Sequence, residues 1–206
     1  WKLDKAHSNV MWSTNYMGAA GLLTGRFNQF GMADVTSEKQ INYNTTGQPL
    51  PDVDWAFYEN DPSKTVINGY VQINTSNTGE PGRDLGCNIS GMSTGNVVPT
   101  TGVQNLTATN LAKIHATKIE LDPSSNDYIV TLDLTYKGGL ATPLTKSITG
   151  KLHYVARKRV QFGTAAAYDV FGLQLKFQFN CRDFGITSTS VSDRIDIECN
   201  MNFNNK

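Results

Sequence analysis

The sequence predicts an all-β protein, an antiparallel barrel or sandwich, and three observations carry that expectation. Its clearest apolar patterns repeat every second residue, turn-forming residues interrupt them at short intervals, and no segment has the 3.6-residue period of a helix. Strands of this kind are apolar on one face and wet on the other, as antiparallel sheets are and doubly covered parallel sheets are not.

The elements follow in chain order. Asn9 to Tyr16 places Val10, Trp12 and Tyr16 on one face. Leu22 to Val35 carries Phe27 and Phe30, and Val66 to Asn74 groups Ile67, Val71 and Ile73. Lys113 to Leu121 is a weaker candidate. In N-D-Y-I-V-T-L-D-L-T-Y-K the apolar phase is Tyr128, Val130, Leu132, Leu134, Tyr136, opposite Thr131, Asp133, Thr135 and Lys137. Lys146 to Val160 comes next. In G-L-Q-L-K-F-Q-F-N-C, Leu173, Leu175, Phe177, Phe179 and Cys181 alternate with polar residues; in R-I-D-I-E-C-N-M-N-F, Ile195, Ile197, Cys199, Met201 and Phe203 do the same. Eight or nine strands result, with turns at Gly138-Gly139, Pro123 to Asp127 and Gly163-Thr164.

Two stretches break this rhythm. Residues 42–63 carry Pro49, Pro51 and Pro62 around Trp55, Phe57 and Tyr58, and residues 85–112 contain no charge. Both are expected to be loops on one domain spanning residues 1–206; an uncharged loop as long as 85–112 is uncommon unless functional or mobile.

Bulk composition bounds the function. The 206 residues include 18 Lys plus Arg and 18 Asp plus Glu, a formal net charge of zero. That argues against nucleic acid, which calls for a basic patch, and against a polybasic membrane-surface role. No apolar run is long enough for a membrane-spanning helix. The chain starts at Trp1 without a Met, and together with a weakly charged, Asn- and Thr-rich surface this predicts a processed protein, periplasmic or secreted. Three cysteines are too few for a disulfide scaffold. Cys181 and Cys199 lie on the apolar phases of neighbouring strands: they face each other if the hairpin turns around Ser190, or are two separate buried thiols.

Several motifs, taken in order, resemble the YceI-like family of exported, lipocalin-like polyisoprenoid-binding proteins. They are W-K-L-D-K-A-H-S, L-T-G-R-F-N-Q-F, V-Q-I-N-T-S-N-T-G with G-R-D-L, Y-I-V-T-L-D-L-T-Y-K-G-G-L-A-T-P-L, C-R-D-F-G-I and V-S-D-R-I-D-I-E. The resemblance spans nearly the whole chain. It implies an antiparallel lipocalin-like β-barrel with an elongated apolar interior and non-enzymatic binding, transport or storage of a long-chain amphiphile: a polyisoprenoid, an isoprenoid quinone or a fatty-acid derivative. Trp12, Phe27, Phe30, Ile73, Leu132, Leu134, Phe177, Phe179 and Ile197 are then the residues expected to contact the apolar chain. His7 and the two Arg-Asp pairs, Arg83-Asp84 and Arg182-Asp183, are expected at the barrel rim or at the ligand head group. The bound lipid is the expected ligand, with no other cofactor and no metal; a homodimer and a membrane-associated delivery partner are compatible with such a carrier. The sequence departs from the family after the first Arg-Asp, where residues 86–109 are polar and Gly-rich instead of aromatic, and at Ala116, where the family often carries Phe.

Each Arg-Asp pair precedes a turn. Consecutive strand residues point to opposite faces, so one member is expected to fix strand register while the other faces the opening. Arg is suited to phosphate through its planar fork of donors. G-M-S-T-G at Gly91 to Gly95 matches a nucleophile pattern, and Asp133 and His153 follow it in triad order. The strand-turn-helix context that a nucleophile needs is missing, so hydrolysis is not expected. His7, His115 and His153 lack metal-ligand spacing. The contrasting expectation is a filled barrel or sandwich that serves as an extracytoplasmic interaction or sugar-binding module, because alternation alone does not distinguish a hollow interior from a packed one.

Overall fold

The computed structural model describes residues 1–17, 21–32, 57–80, 84 and 111–206. Among these residues run eleven strands joined by turns and short 3-10 segments. The strands are β1 (Lys2–Leu3), β2 (Asn9–Tyr16), β3 (Gly21–Phe27), β4 (Phe30–Met32), β5 (Asn68–Gln72), β6 (Ser76–Asn77), β7 (Leu111–Leu121), β8 (Tyr128–Tyr136), β9 (Leu144–Val160), β10 (Tyr168–Asn180) and β11 (Arg194–Asn204). All belong to one antiparallel sheet in the order β4-β5-β7-β8-β9-β10-β11-β2-β3-β6, with β1 added beside β11. The sheet is curled, as the all-β barrel expectation requires.

Curling brings the two ends of that order together through the chain itself. β3 and β4 are parts of one strand bent at Asn28 and Gln29, and β5 and β6 are parts of another bent at Ile73–Thr75. These bent strands run as an antiparallel ribbon: Phe27 opposes Ser76 on one side of the corner, and Phe30 opposes Val71 on the other. The corner is held by Asn28 N donating to the Thr75 carbonyl, Gln29 N donating to Thr75 Oγ1 (3.0 Å) and Gln72 N donating to the Gln29 carbonyl. A single strand expected over Leu22 to Val35 is therefore two, because the ribbon turns from β2 towards β7; Val35 lies outside the described residues.

The period-two strands fold as their patterns demand. Tyr128, Val130, Leu132, Leu134 and Tyr136 are all buried, as are Leu173 to Cys181 on the same phase and Ile195, Ile197, Cys199 and Phe203. Burying one such side chain contributes about 1.5–3 kcal/mol, which fixes register, since a one-residue slip would expose every one of them. In β2, Val10, Trp12 and Thr14 point inward, but Tyr16 does not and is 48% exposed. β11 pairs with β2 only as far as Ser13. Beyond it β2 leaves the core, pairs with β3 and meets Val191 in an isolated bridge.

Cys181 and Cys199 are not partners. Both are buried and free. Asn180 opposes Arg194 and Leu175 opposes Cys199, so the hairpin turns about position 187 rather than Ser190, leaving Cys199 six strand positions from Cys181. The missing cue was the segment Cys181–Phe184, which leaves the strand for a 3-10 turn and shortens β10. Cys87 lies outside the described residues, as do Trp55, Gly91 to Gly95 and most of residues 42–63 and 85–112. Leu111 and Ala112, expected in the second loop, instead open β7 and are buried.

Candidate ligand cavity

The packing of the inner face leaves a cavity of about 80 Å³. Nine of the eleven strands reach it, and among the described residues its lining includes no charged side chain. Phe27, Ile73, Leu134, Phe177, Phe179 and Ile197 border it. Trp12, Phe30 and Leu132 are buried in the surrounding core instead. The Trp12 ring lies against Gly25, whose place in L-T-G-R-F is explained by a Cβ that would stand 2.6 Å from the indole; Trp12 Nε1 donates to Ser76 Oγ at 2.8 Å. That bond ties β2 to the corner ribbon.

Periodicity pointed to some of the remaining wall: Leu173, Leu175, Tyr136 and Cys199 lie on the expected apolar phases. The other wall was not legible. Gly31, Gly69 and Ala112 line the cavity from β4, β5 and β7, and residues that matter by having little or no side chain leave no apolar signal. Ala116, which stands where the family often has Phe, is half-buried and packs against the core.

Aromatic clusters close both ends of the apolar interior. At one end Phe179 meets Phe184 edge-on at 5.6 Å, and Tyr136 lies 5.4 Å from Phe184 and 6.4 Å from Phe179. At the other, the residues two positions beyond the lining Leu152, Leu173 and Met201 are Tyr154, Phe171 and Phe203. Phe171 stacks on Phe203 at 4.8 Å and takes Trp1 edge-on at 4.7 Å; Tyr154 lies 5.8 Å from Phe171 and stacks on Phe57 at 4.6 Å. Tyr154 Oη donates to Glu59 at 2.5 Å. Burial, reinforced by the Glu59 carboxylate, pushes the Tyr154 phenol up to about 12. Burial, with the Glu198 carboxylate adding to it, pushes the Cys199 thiol in the cavity wall up to about 12.

Arg182 and Asp183 occupy a 3-10 turn at the rim, not strand alternation. Arg182 Nε donates to Asp193 Oδ1 (2.8 Å), Nη1 to the Ile186 and Ser188 carbonyls (2.8 and 2.9 Å), and Nη2 to the Val191 carbonyl (2.8 Å). Its guanidinium is thus engaged in folding the 181–193 connection. Asp183 is half-exposed beside Lys146 at 3.6 Å. Gly138 and Gly139 pack under this turn: Gly139 N donates to the Phe184 carbonyl, Gly138 has φ +53°, and a Cβ on either would collide with the backbone at Phe184 or Gly185. In the other pair Asp84 accepts from Thr78 N (3.0 and 3.2 Å) and from Thr78 Oγ1 (2.9 Å), while Arg83 lies outside the described residues. His7 is exposed and its Nδ1 lies 2.9 Å from Asp4. His153 bonds Asp127 at 2.6 Å on the outer surface. Ser93 is outside the described residues.

The YceI-like domain family matches residues 1–203. The chain belongs to the YceI-like family. Among solved structures, the YceI-like barrel is similar to BcnA of Burkholderia cenocepacia, with 14% identity, TM-score 0.54, and 98% of this chain and 99% of that one covered. It is also similar to the YceI protein of Campylobacter jejuni, with 17% identity, TM-score 0.56, and 100% and 98% covered. Identities this low establish a shared YceI-like fold. No curated protein matches the chain.

Proposed function

We propose that this YceI-like barrel is a non-enzymatic, extracytoplasmic binder and carrier of a long-chain amphiphile: a polyisoprenoid, an isoprenoid quinone or a fatty-acid derivative. The observation that carries the reading is the cavity itself, reached by nine strands and lined without a charge among the described residues. Such a space is dry and favours hydrocarbon, at about 0.8 kcal/mol per buried CH₂. No described side chain there offers a cationic fork to a phosphate, so a polar head group is held at a rim or left in water.

The free volume of about 80 Å³ is small beside the 300–1,000 Å³ of common small-molecule pockets. A long chain enters by displacing lining side chains. On the wall from β4, β5 and β7 those side chains are Tyr70 and Ile114, which fill the space beside Gly31 and Gly69, while Ala112 presents only a methyl group. Solvent extraction of the purified protein followed by mass spectrometry tests the proposal. A retained long-chain lipid, lost or reduced in Ala112→Leu, is the expected outcome. Repeated absence of lipid, with Ala112→Leu raising stability by filling a void, favours a packed barrel that acts through its surface.

A further inference from the structure

The hairpin joining β9 to β10 outruns the barrel. β8 pairs with β9 only as far as Leu152, and Val155 to Arg159 are exposed on both phases. A register shift between Val170 and Gly172 sets the last part of the hairpin off from the sheet, and bulges of this kind bend a strand and increase its twist. At the tip, Phe162 is 69% exposed, beside exposed Gly163, Ala165 and Ala166. The turn is ordered: Ala165 N donates to the Phe162 carbonyl, Gln161 Nε2 donates to the Ala165 carbonyl at 3.0 Å, and Gly163 takes φ +57°. The ring has a neighbour in Tyr168 at 6.3 Å but little cover.

Charge around this tip is one-sided although the chain as a whole is neutral. On the hairpin itself Arg157, Lys158 and Arg159 face one carboxylate, Asp169, among the described residues. Asp169 is shared by Arg157 (2.5 Å) and Arg159 (3.5 Å), leaving that trio with a net positive charge. Lys206 lies 5.1 Å over the Tyr168 ring. At the opposite rim, by contrast, Arg182–Asp193 and Arg194–Asp196 neutralise one another.

We propose that the β9–β10 hairpin docks this end of the barrel on an anionic lipid surface, with Phe162 entering the interface and the basic collar held at the head groups. An exposed aromatic at the tip of a basic hairpin is matched by a surface that is apolar beneath and anionic above. The position of the hairpin gives docking a consequence. Behind it lie Tyr154, Phe171 and Phe203, and immediately behind those, on the same strands, the lining residues Leu152, Leu173 and Met201. The docked end is therefore the cavity end closed by aromatic rings, and an amphiphile would pass there without crossing water. That consequence rests on the lipid-binding reading; docking itself does not.

Co-sedimentation with vesicles provides the test, with pure phosphatidylcholine compared with phosphatidylcholine containing phosphatidylglycerol. The expected result is binding to the anionic vesicles that weakens with salt. Phe162→Ser should weaken it about tenfold or more, and Lys158→Gln about fivefold. Both side chains are exposed, so both variants should melt with the parent protein. Absence of binding, equal binding to both vesicle types, or full binding by Phe162→Ser overturns the proposal, and the first outcome would leave a protein as the partner of the tip. Solvent extraction reports on the cavity independently, so an empty barrel that docks and a filled barrel that does not are distinguishable.

Discussion

At Arg182 one side chain serves four acceptors, three of them main-chain carbonyls of the 186–191 connection. Charged donors to carbonyls that have no substitute are worth more than ordinary surface pairs. Arg182→Ala should cost about 3 kcal/mol in urea denaturation, and Arg182→Lys should recover only part of it because one ammonium does not span the same acceptors. Asp183→Asn, beside it but exposed, should shift stability by less than about 0.5 kcal/mol; a cost equal to that of Arg182→Ala would contradict the assignment of the fixture to the arginine. Cys181 and Cys199 should both titrate as free thiols once the protein is unfolded without reductant, and Cys199 should resist alkylation in the native state because burial holds it protonated. The sign of the pH dependence follows. A thiol whose folded value is raised binds its proton more tightly folded than unfolded, so its contribution is complete below about 9 and is lost as pH rises towards about 12. Between those limits stability should fall by up to about 1.4 kcal/mol per pH unit for this group, and Cys199→Ala should remove that part of the slope.

Among the elements, the 138–139 turn and the 181–184 turn form one unit. β8 and β9 leave the barrel at Gly138-Gly139, β10 leaves it at Cys181–Phe184, and the two turns touch through backbone. Gly138→Ala adds a Cβ at φ +53° directly against the Phe184 carbonyl. It should cost at least about 2 kcal/mol, whereas Gly163→Ala, at φ +57° with open space around it, should cost only about 1 kcal/mol for its backbone conformation. Equal melting temperatures for the two variants would show that the rim turns are not in contact. The corner ribbon β3–β4 and β5–β6 is the other composite element. It has short strands, and its hold on β2 includes the Trp12–Ser76 bond.

At the scale of the whole molecule, packed rings and free volume meet at one residue of the interior. Phe179 sits among Tyr136 and Phe184 while also bordering the cavity. Phe179→Trp should lower stability by about 1–3 kcal/mol if the ring is pressed into that cluster, and should leave it unchanged while reducing retained lipid if the larger ring swings into the cavity. Differential scanning calorimetry paired with solvent extraction separates the two, and Gln178→Glu, exposed on the outer phase, serves as the unaffected control.

Alternation alone determined most of the sheet in this protein. The faces of β8, β10 and β11 are read from every second residue, because burial of one face leaves an unmistakable period. The ordered motifs led to the family in the same way. Tertiary structure decided what periodicity does not encode. It bent one expected strand into β3 and β4, because closing the sheet requires a corner. It turned Tyr16 outward where β2 parts from β11, and it set the Cys181 and Cys199 thiols apart through a 3-10 turn that shortens β10. It also placed Gly31, Gly69 and Ala112 along the cavity. Gly31 and Gly69 there make room for the Tyr70 ring and the Ile114 side chain, a fit that exists only after the strands have met.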